Sequence, residues 1–308
     1  MNTVVLPLPG NEALADALLK QPALPRPAER GELAVRVFPD GETHLRLLSK
    51  VEGARVVLAA TLDRPDAKLL PLLFAASLVR DYGAVEVGLL APYLAYMRQD
   101  ARFAPGEGVT ARYFAKLLSS HLDWLVTVDP HLHRITALDQ VYDCPTRVVH
   151  AAPAMAEWVA ANVPAPILIG PDSESEQWVA EVASLAKVPY AVLDKIRHGD
   201  HQVEVSRPEM AQLLGRTPVL VDDIVSTAHT MAETLRHLQQ MGAKPAVCIA
   251  VHAVFAEDAV ARLTSSGAAR VVSCNTIAHP SNAISLERWL AEAIRDVCGA
   301  SPTERRAE

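Results

Sequence analysis

Residues 218–230 read PVLVDDIVSTAHT, an apolar run followed by two adjacent acids and a cluster of small hydroxyl residues. The run Val219–Val221 predicts a buried strand, and the spacing of apolar residues from Met231 onward predicts a helix. The loop between them is therefore expected at the carboxyl end of a strand and at a helix N-terminus. Free backbone N–H groups and the helix dipole favour a phosphate there. The alternative is a strand that ends in solvent-exposed acids before an ordinary Ser/Thr helix cap.

The side chains of this stretch suit a phosphorylated sugar. Asp222 and Asp223 can accept hydrogen bonds from sugar hydroxyls or hold a magnesium ion. Ser226, Thr227 and Thr230 can donate hydrogen bonds to phosphate oxygens. The stretch therefore predicts a ribose-phosphate site.

Composition limits the classes of function. The chain has 308 residues, half of them hydrophobic, which is long enough for two α/β domains. With a formal net charge of −7, the chain has no overall positive potential to attract nucleic acid, which is therefore not an expected partner. The four cysteines lack CxxC spacing and are expected to be reduced core thiols rather than zinc ligands. With no leader-like N-terminus and no apolar run long enough to span a membrane, we expect a cytoplasmic protein without a membrane partner.

Short apolar runs alternate with helical patterns along the whole chain. Strands are expected at 55–60, 85–91, 124–128, 166–170, 190–193, 219–221, 246–251 and 269–273, with helices that include 66–81 and 110–121. This alternation is typical of α/β proteins with mostly parallel sheets flanked by helices. We therefore predict two similar domains, residues 1–147 and 148–285, followed by a C-terminal helix and a disordered tail at 286–308.

Two motifs in the first half suit a nucleotide. Phe38–Glu42 couples an aromatic ring to two acids around a glycine turn, which allows stacking on a base and acceptance of its amino protons; alone, it also fits a plain hairpin turn. Arg98-Gln99-Asp100 follows a strand; alone, it also fits a solvated surface run.

Further motifs suit phosphate and metal chemistry. Asp129-Pro130-His131 and Pro171-Asp172 each place a candidate magnesium or triphosphate ligand just past a strand, although a single strand-end His or Asp is also a common cap. Lys195 and Arg197 are two residues apart, so both can project from one side of an extended segment. Such a pair can meet the charge that develops on a transferring phosphoryl group.

The order of these motifs resembles that of the ribose-phosphate diphosphokinases, or PRPP synthetases. The resemblance extends from about Val35 to Ile294 and includes residues 251–255 and 274–277. It implies two type I phosphoribosyltransferase-like domains in a homo-oligomer, either a dimer or a hexamer. It also implies transfer of the diphosphoryl group of MgATP to O1 of ribose 5-phosphate, which yields PRPP and AMP.

The resemblance also implies roles for individual residues. The ATP-binding set comprises Phe38, Asp40, Gly41, Glu42, Arg98, Gln99 and His131. The metal ligands are His131 and Asp172, and the catalytic cations are Lys195 and Arg197. Ribose 5-phosphate is expected to contact Arg197, Asp222, Asp223, Ser226, Thr227, Ala228, His229 and Thr230.

His229 departs from the resemblance, because the family usually has glycine at this position. A backbone with positive φ there would strain any residue with a Cβ, so His229→Gly is expected to tighten ribose 5-phosphate binding about tenfold. The alternative is that the imidazole itself donates to the phosphate.

Two other functional classes share this fold. A phosphoribosyltransferase that consumes PRPP would use the same loop but needs only one such domain. A catalytically silent, PRPP-sensing regulator would be expected to lack the catalytic cations, and both Lys195 and Arg197 are present here.

Overall fold

The computed structural model describes residues 1–171, 175–193, 195–198, 202–205, 213, 215–256 and 258–299. Two compact units are distinguished, and each is described by itself. Unit 1 contains residues 1–149 together with the segment from 287 onward, and unit 2 contains residues 150–286.

Unit 1 is built around a six-stranded sheet. In chain order it contains β1 (Thr3–Pro7), α1 (Glu12–Leu19), β2 (Ala28–Arg30), β3 (Leu33–Val37), β4 (Thr43–Leu47), β5 (Arg55–Ala59), α2 (Asp66–Asp81), β6 (Glu86–Ala91), α3 (Thr110–Ser119), β7 (Trp124–Val128) and β8 (Thr146–Val149). The sheet order is β2-β1-β5-β6-β7-β8, and every pair is parallel. Strands β3 and β4 form a separate antiparallel hairpin.

Unit 2 contains a second six-stranded sheet. Its elements are α4 (Ala152–Asn162), β9 (Pro166–Gly170), α5 (Glu176–Ala186), β10 (Tyr190–Val192), β11 (Lys195–His198), β12 (Gln202–Val205), β13 (Thr217–Val225), α6 (His229–Gln240), β14 (Ala246–Ala253), α7 (Ala259–Ser265), β15 (Ala268–Cys274) and β16 (Asn282–Ile284). The sheet order is β10-β9-β13-β14-β15-β16, again parallel throughout. The final helix, α8 (Glu287–Gly299), contacts β7, β8 and α1 of unit 1.

The two sheets share one topology. In each unit the second strand lies at the sheet edge beside the first, an antiparallel hairpin follows, and the next strand pairs with the other side of the first. Strand β13 in unit 2 therefore corresponds to β5 in unit 1. The predicted α/β class with two similar, mostly parallel sheets flanked by helices is confirmed.

The apolar runs form strands because both faces of each sheet are covered. Strands β5, β6 and β7 are buried over their full length, as expected for parallel strands between helix layers. The thiols of Cys144, Cys248 and Cys274 are buried, whereas Cys298 is partly exposed. None of the helices in the described ranges is long and apolar enough to cross a membrane.

Candidate active site

The acidic pair lies near the carboxyl end of β13. This strand pairs with β9 only as far as Leu220, but pairs with β14 as far as Val225. Asp222 and Asp223 thus follow the last residue paired with β9, and both are half-buried. The backbone N–H of Asp223 donates to Asp222 Oδ1 at 3.0 Å, and the N–H of Ile224 donates to Asp223 Oδ1 at 2.6 Å. The carboxylates therefore lie at the sheet edge where open parallel sheets bind their ligands.

The loop that follows leads directly into helix α6. Ala228 has φ 59° and ψ 18°, and no side chain caps the helix N-terminus. The first helical bond runs from Ala232 N–H to Ala228 O at 2.9 Å, and Ala256 N–H donates to Ser226 O at 3.0 Å. The backbone N–H groups of the first helical turn have no intrahelical acceptors, and their dipoles point toward the loop. This geometry suits an anion such as the predicted phosphate.

The expectation that His229 has positive φ is wrong. Positive φ falls on Ala228, and His229 is already the first residue of α6. The exposed imidazole has a partner that the sequence did not indicate, because His229 Nδ1 lies 3.3 Å from Arg262 Nη1 on α7. Strain at His229 therefore gives no reason to expect that His229→Gly would improve binding.

A buried histidine joins β14 to the segment after β15. His252 is 1% exposed, and its Nδ1 lies 2.9 Å from Thr276 Oγ1. The Thr276 hydroxyl donates its hydrogen to Val251 O at 2.8 Å, so it accepts the Nδ1–H of His252. Ile224, next to Asp223, lies beside His252 in the sheet register. Residues 251–255 and 274–277, which are far apart in the sequence, thus meet close to the acidic pair.

In unit 1, one carboxylate joins two of the predicted ATP segments. Asp100 Oδ2 accepts the backbone N–H of Arg134 at 3.1 Å, and Asp100 Oδ1 accepts Arg134 Nη1 at 3.2 Å. Arg98 is exposed and has no hydrogen-bond or ion-pair partner among the described side chains, whereas Gln99 accepts a hydrogen bond from Thr110. Arg98 is therefore available to an anionic ligand.

The predicted ligand His131 lies on a strained loop after β7. Asp129 has φ 28° and His131 has φ 50°, values that residues with a Cβ adopt infrequently. The ring of His131 lies 4.3 Å from that of His133, measured between centroids. Such strain is found where a surrounding structure holds a loop for a functional purpose.

The Phe38–Glu42 segment forms the turn of the β3–β4 hairpin. Phe38 N–H donates to Glu42 O at 2.8 Å, and Gly41 has φ 93°, which glycine adopts without steric cost. The guanidinium of Arg36 lies 4.4 Å from the centre of the Phe38 ring and covers part of it. Among the described residues, no hydrogen bond or ion pair links this turn to Arg98 or Gln99.

The corresponding strand–helix loop of unit 1 is occupied by its own side chains. After β5, Lys68 Nζ donates to Thr61 O at 2.9 Å and pairs with Asp63. At the start of α2, Asp66 accepts a hydrogen bond from the Tyr96 hydroxyl, and this bond, together with burial, raises the pKa of Tyr96. Asp66 places a negative charge where a phosphate would bind. Unit 2 is therefore the better candidate for the sugar phosphate.

Comparison with known proteins supports, for both units, the family that the sequence motifs resemble. Residues 4–121 match the family described as the N-terminal domain of ribose phosphate pyrophosphokinase, and residues 137–288 match the phosphoribosyl transferase domain. A ribose-phosphate pyrophosphokinase from Methanopyrus kandleri is 35% identical over 264 residues, which cover 85% of this chain and 89% of that protein. The chain belongs to the ribose-phosphate pyrophosphokinase family.

Two further relatives span nearly the whole chain. The ribose-phosphate pyrophosphokinase from Methanothermobacter thermautotrophicus is 32% identical over 91% of this chain and 94% of its own length. The crystal structure of phosphoribosylpyrophosphate synthetase from Mycobacterium smegmatis matches with a TM-score of 0.83 and 25% identity, covering 97% of this chain and 99% of that one. This ribose-phosphate pyrophosphokinase family member therefore has the two-unit fold of a solved relative.

Several predicted site residues fall outside the described atoms. Asp172 lies outside the described residues, and only the backbone of Lys195 and Arg197 on β11 is described. Among the side chains that the structure describes, no group of three His, Cys, Asp or Glu residues is arranged to hold a metal. The carboxylates of Asp222 and Asp223 fit magnesium by their chemistry, because this ion prefers oxygen ligands and keeps substrate phosphates and water in its shell. The imidazole of His131 is a less typical ligand for it.

Proposed function

We propose that the chain transfers the β,γ-diphosphoryl group of ATP to O1 of ribose 5-phosphate and releases PRPP and AMP. The observation that carries this proposal is the combination of Asp222 and Asp223 with the uncapped N-terminus of α6 in unit 2. The corresponding loop of unit 1 is filled by Asp63, Asp66 and Lys68. Membership of the family supports the same activity.

The proposed reaction forms one P–O bond, breaks another P–O bond and removes the proton from O1. Oxygen O1 of the sugar attacks the β-phosphorus, the bond from that phosphorus to the oxygen shared with the α-phosphate breaks, and AMP leaves. The O1 proton is released. The chain positions the sugar through the carboxylates of Asp222 and Asp223 and through the loop Ser226–Thr230. In the proposal, Lys195 and Arg197 stabilise negative charge on the transferring group.

ATP binding is assigned to unit 1. Exposed Arg98 meets a phosphate, and Gln99 and His131 lie on segments that Asp100 and Arg134 join. The turn residues Phe38, Asp40, Gly41 and Glu42 are proposed to contact the base and its amino group. Magnesium ions, when bound, would neutralise triphosphate oxygens; His131 is the proposed ligand in unit 1, and Asp172, Asp222 and Asp223 are the proposed ligands in unit 2.

We also propose that the protein is cytoplasmic and forms a homo-oligomer, either a dimer or a hexamer. The sequence resemblance supports this assembly. Size-exclusion chromatography with light scattering distinguishes the two stoichiometries, and a monomeric mass in the active preparation would contradict both.

Product analysis tests the reaction. We expect equal amounts of AMP and PRPP when the purified chain is incubated with ATP, magnesium and ribose 5-phosphate, and neither product without magnesium. ADP formed in step with a phosphorylated sugar would show transfer of a single phosphoryl group and overturn the proposal. No turnover, combined with tight PRPP binding, would instead identify a silent sensor. Pyrophosphate release from PRPP only in the presence of a base would identify a phosphoribosyltransferase.

A further inference from the structure

Helix α7 carries an arginine that contacts the first residue of helix α6. The two helices pack together, and Arg262 Nη1 lies 3.3 Å from Nδ1 of His229, a long hydrogen bond. The same guanidinium forms an ion pair through Nη2 with Asp258, four residues earlier on the chain. The side chain of Arg262 is 30% exposed, whereas His229 is exposed. Asp258 therefore holds Arg262, and Arg262 in turn contacts His229.

This contact determines which nitrogen of His229 carries the proton. A guanidinium only donates hydrogen bonds, so Nδ1 of His229 must accept. In the neutral ring the proton is then on Nε2, an assignment that follows from the hydrogen-bond network. The ring therefore has one nitrogen occupied by Arg262 and one N–H available as a donor.

We propose that His229 donates from Nε2 to the phosphate of ribose 5-phosphate, and that Arg262 is the residue that positions its ring. This inference rests on the proposed function; it gives His229 a specific contact with the phosphate and adds Arg262 to that site. His229 directly follows Ala228, whose φ of 59° turns the chain into α6. An N–H donor on the first helical residue adds a side-chain contact to the backbone amides of the same turn. A hydrogen bond to a charged phosphate is stronger than one between neutral groups.

The contribution of His229 can be measured with two substitutions. We expect His229→Ala to raise KM for ribose 5-phosphate about tenfold, equivalent to about 1.4 kcal/mol, with KM for ATP unchanged within about twofold. His229→Gln retains an N–H donor on a side chain of similar reach and should recover part of this loss. Because His229 is exposed, neither change should lower the melting temperature appreciably.

A double-mutant cycle tests the role of Arg262. Arg262→Met should raise KM for ribose 5-phosphate several-fold in the parent chain but have little effect in the His229→Ala background, because Arg262 acts through the ring. Arg262→Lys keeps a cationic donor and should restore part of the parent value. Exposed Arg236 on α6 gives a matched control, since Arg236→Met should change neither constant.

The outcomes separate the inference from the proposed function. Equilibrium binding of ribose 5-phosphate is measured by calorimetry alongside AMP release. If the parent releases AMP but His229→Ala binds ribose 5-phosphate as tightly as the parent, the inference is overturned and the function stands. An equal effect of Arg262→Met in both backgrounds overturns the positioning role. If the parent binds the sugar phosphate but makes no AMP, the function fails, and loss of binding in His229→Ala still supports the inference.

Discussion

The carboxylate of Asp100 accepts both the backbone N–H and the guanidinium of Arg134, at 3.1 and 3.2 Å. Its side chain is only 4% exposed, whereas that of Arg134 is 62% exposed. A single buried acid therefore holds the Arg98–Asp100 segment after β6 against the loop that contains His131 after β7. The two segments carry three of the proposed ATP ligands.

We predict that Asp100→Ala weakens ATP binding without a comparable effect on the sugar phosphate. Each hydrogen bond to a charged group contributes about 1.5–3 kcal/mol, and the exposure of Arg134 reduces this value. A rise in KM for ATP of about tenfold is expected, with KM for ribose 5-phosphate within about twofold of the parent. Arg30→Gln breaks an exposed pair with Asp16 and serves as the control. An unchanged KM for ATP in a folded Asp100→Ala variant would show that this link does not serve the nucleotide.

Gly88 on β6 is predicted to be intolerant of any side chain. A Cβ at this position would lie 2.0 Å from Cε2 of Trp124, whose ring is fully buried and whose Nε1 donates to Glu86 at 2.7 Å. Overpacking of this kind destabilises by about 1–3 kcal/mol or more, so Gly88→Ala should lower the urea midpoint of unfolding. Gly299→Ala has no atom within 4 Å of the added Cβ and should leave the midpoint nearly unchanged. Equal midpoints for the two variants would contradict the close packing of Gly88 on Trp124.

Cys248 is predicted to make unfolding sensitive to alkaline pH. Burial raises the pKa of its thiol to about 12 from an ordinary value of 9.0. The folded state therefore keeps this proton more tightly, so the stabilisation is complete below pH 9 and is lost as the pH rises toward 12. Between pH 8 and 10.5 the loss is on the order of 2 kcal/mol.

Urea unfolding of the parent and of Cys248→Ala at both pH values measures this contribution. The variant should lose less stability than the parent, because it lacks the Cys248 thiol. Buried Cys144 and Tyr142 also have raised pKa values, but they contribute equally to both proteins. Parallel losses in the two proteins would contradict the assignment to Cys248.

Local pattern was sufficient for the parallel strands and for the strand–loop–helix arrangement of residues 218–230. Strand β7 matches its predicted bounds because a fully buried parallel strand is continuously apolar, and α2 matches because its apolar spacing is helical. Positive φ was expected at His229 but occurs at Ala228. The difference arises because α6 begins at His229, so the residue just before the helix adopts the left-handed conformation.

The contacts that the sequence did not reveal join distant residues. Asp100 and Arg134 are 34 positions apart, and His229 and Arg262 are 33 apart. Each arginine alone has the character of an ordinary surface residue, and only the packing of neighbouring elements brings the pairs together. Periodicity and spacing carry no signal for such pairs.

Lys195 is predicted to act after substrate binding. A cation placed for charge that develops in the transition state lowers the barrier and contributes little to ground-state affinity. Lys195→Ala should therefore reduce kcat by about 10²–10³ and change both KM values far less. Lys116→Ala, on the exposed side of α3, is the control. A kcat within about threefold of the parent would remove Lys195 from the catalytic set.

We predict that binding of the sugar phosphate requires the left-handed backbone conformation of Ala228. Its φ of 59° turns the loop into α6, and the residue is only 6% exposed. Glycine adopts this conformation freely, so Ala228→Gly should keep KM for ribose 5-phosphate within about threefold of the parent. Valine, being β-branched, is strongly disfavoured at positive φ, so Ala228→Val should displace the first amides of α6.

We expect Ala228→Val to raise KM for ribose 5-phosphate at least about tenfold and to lower stability by about 1–3 kcal/mol, because a larger side chain must also fit a buried position. KM for ATP should change less, since the proposed ATP ligands lie in unit 1. Ala160→Val, on an exposed position of α4, controls for the substitution itself. If Ala228→Val binds ribose 5-phosphate like the parent, the left-handed residue is dispensable and the phosphate must be held elsewhere. A loss in Ala228→Gly equal to that in Ala228→Val would instead show that binding depends on the size of the side chain at this buried position rather than on its backbone conformation.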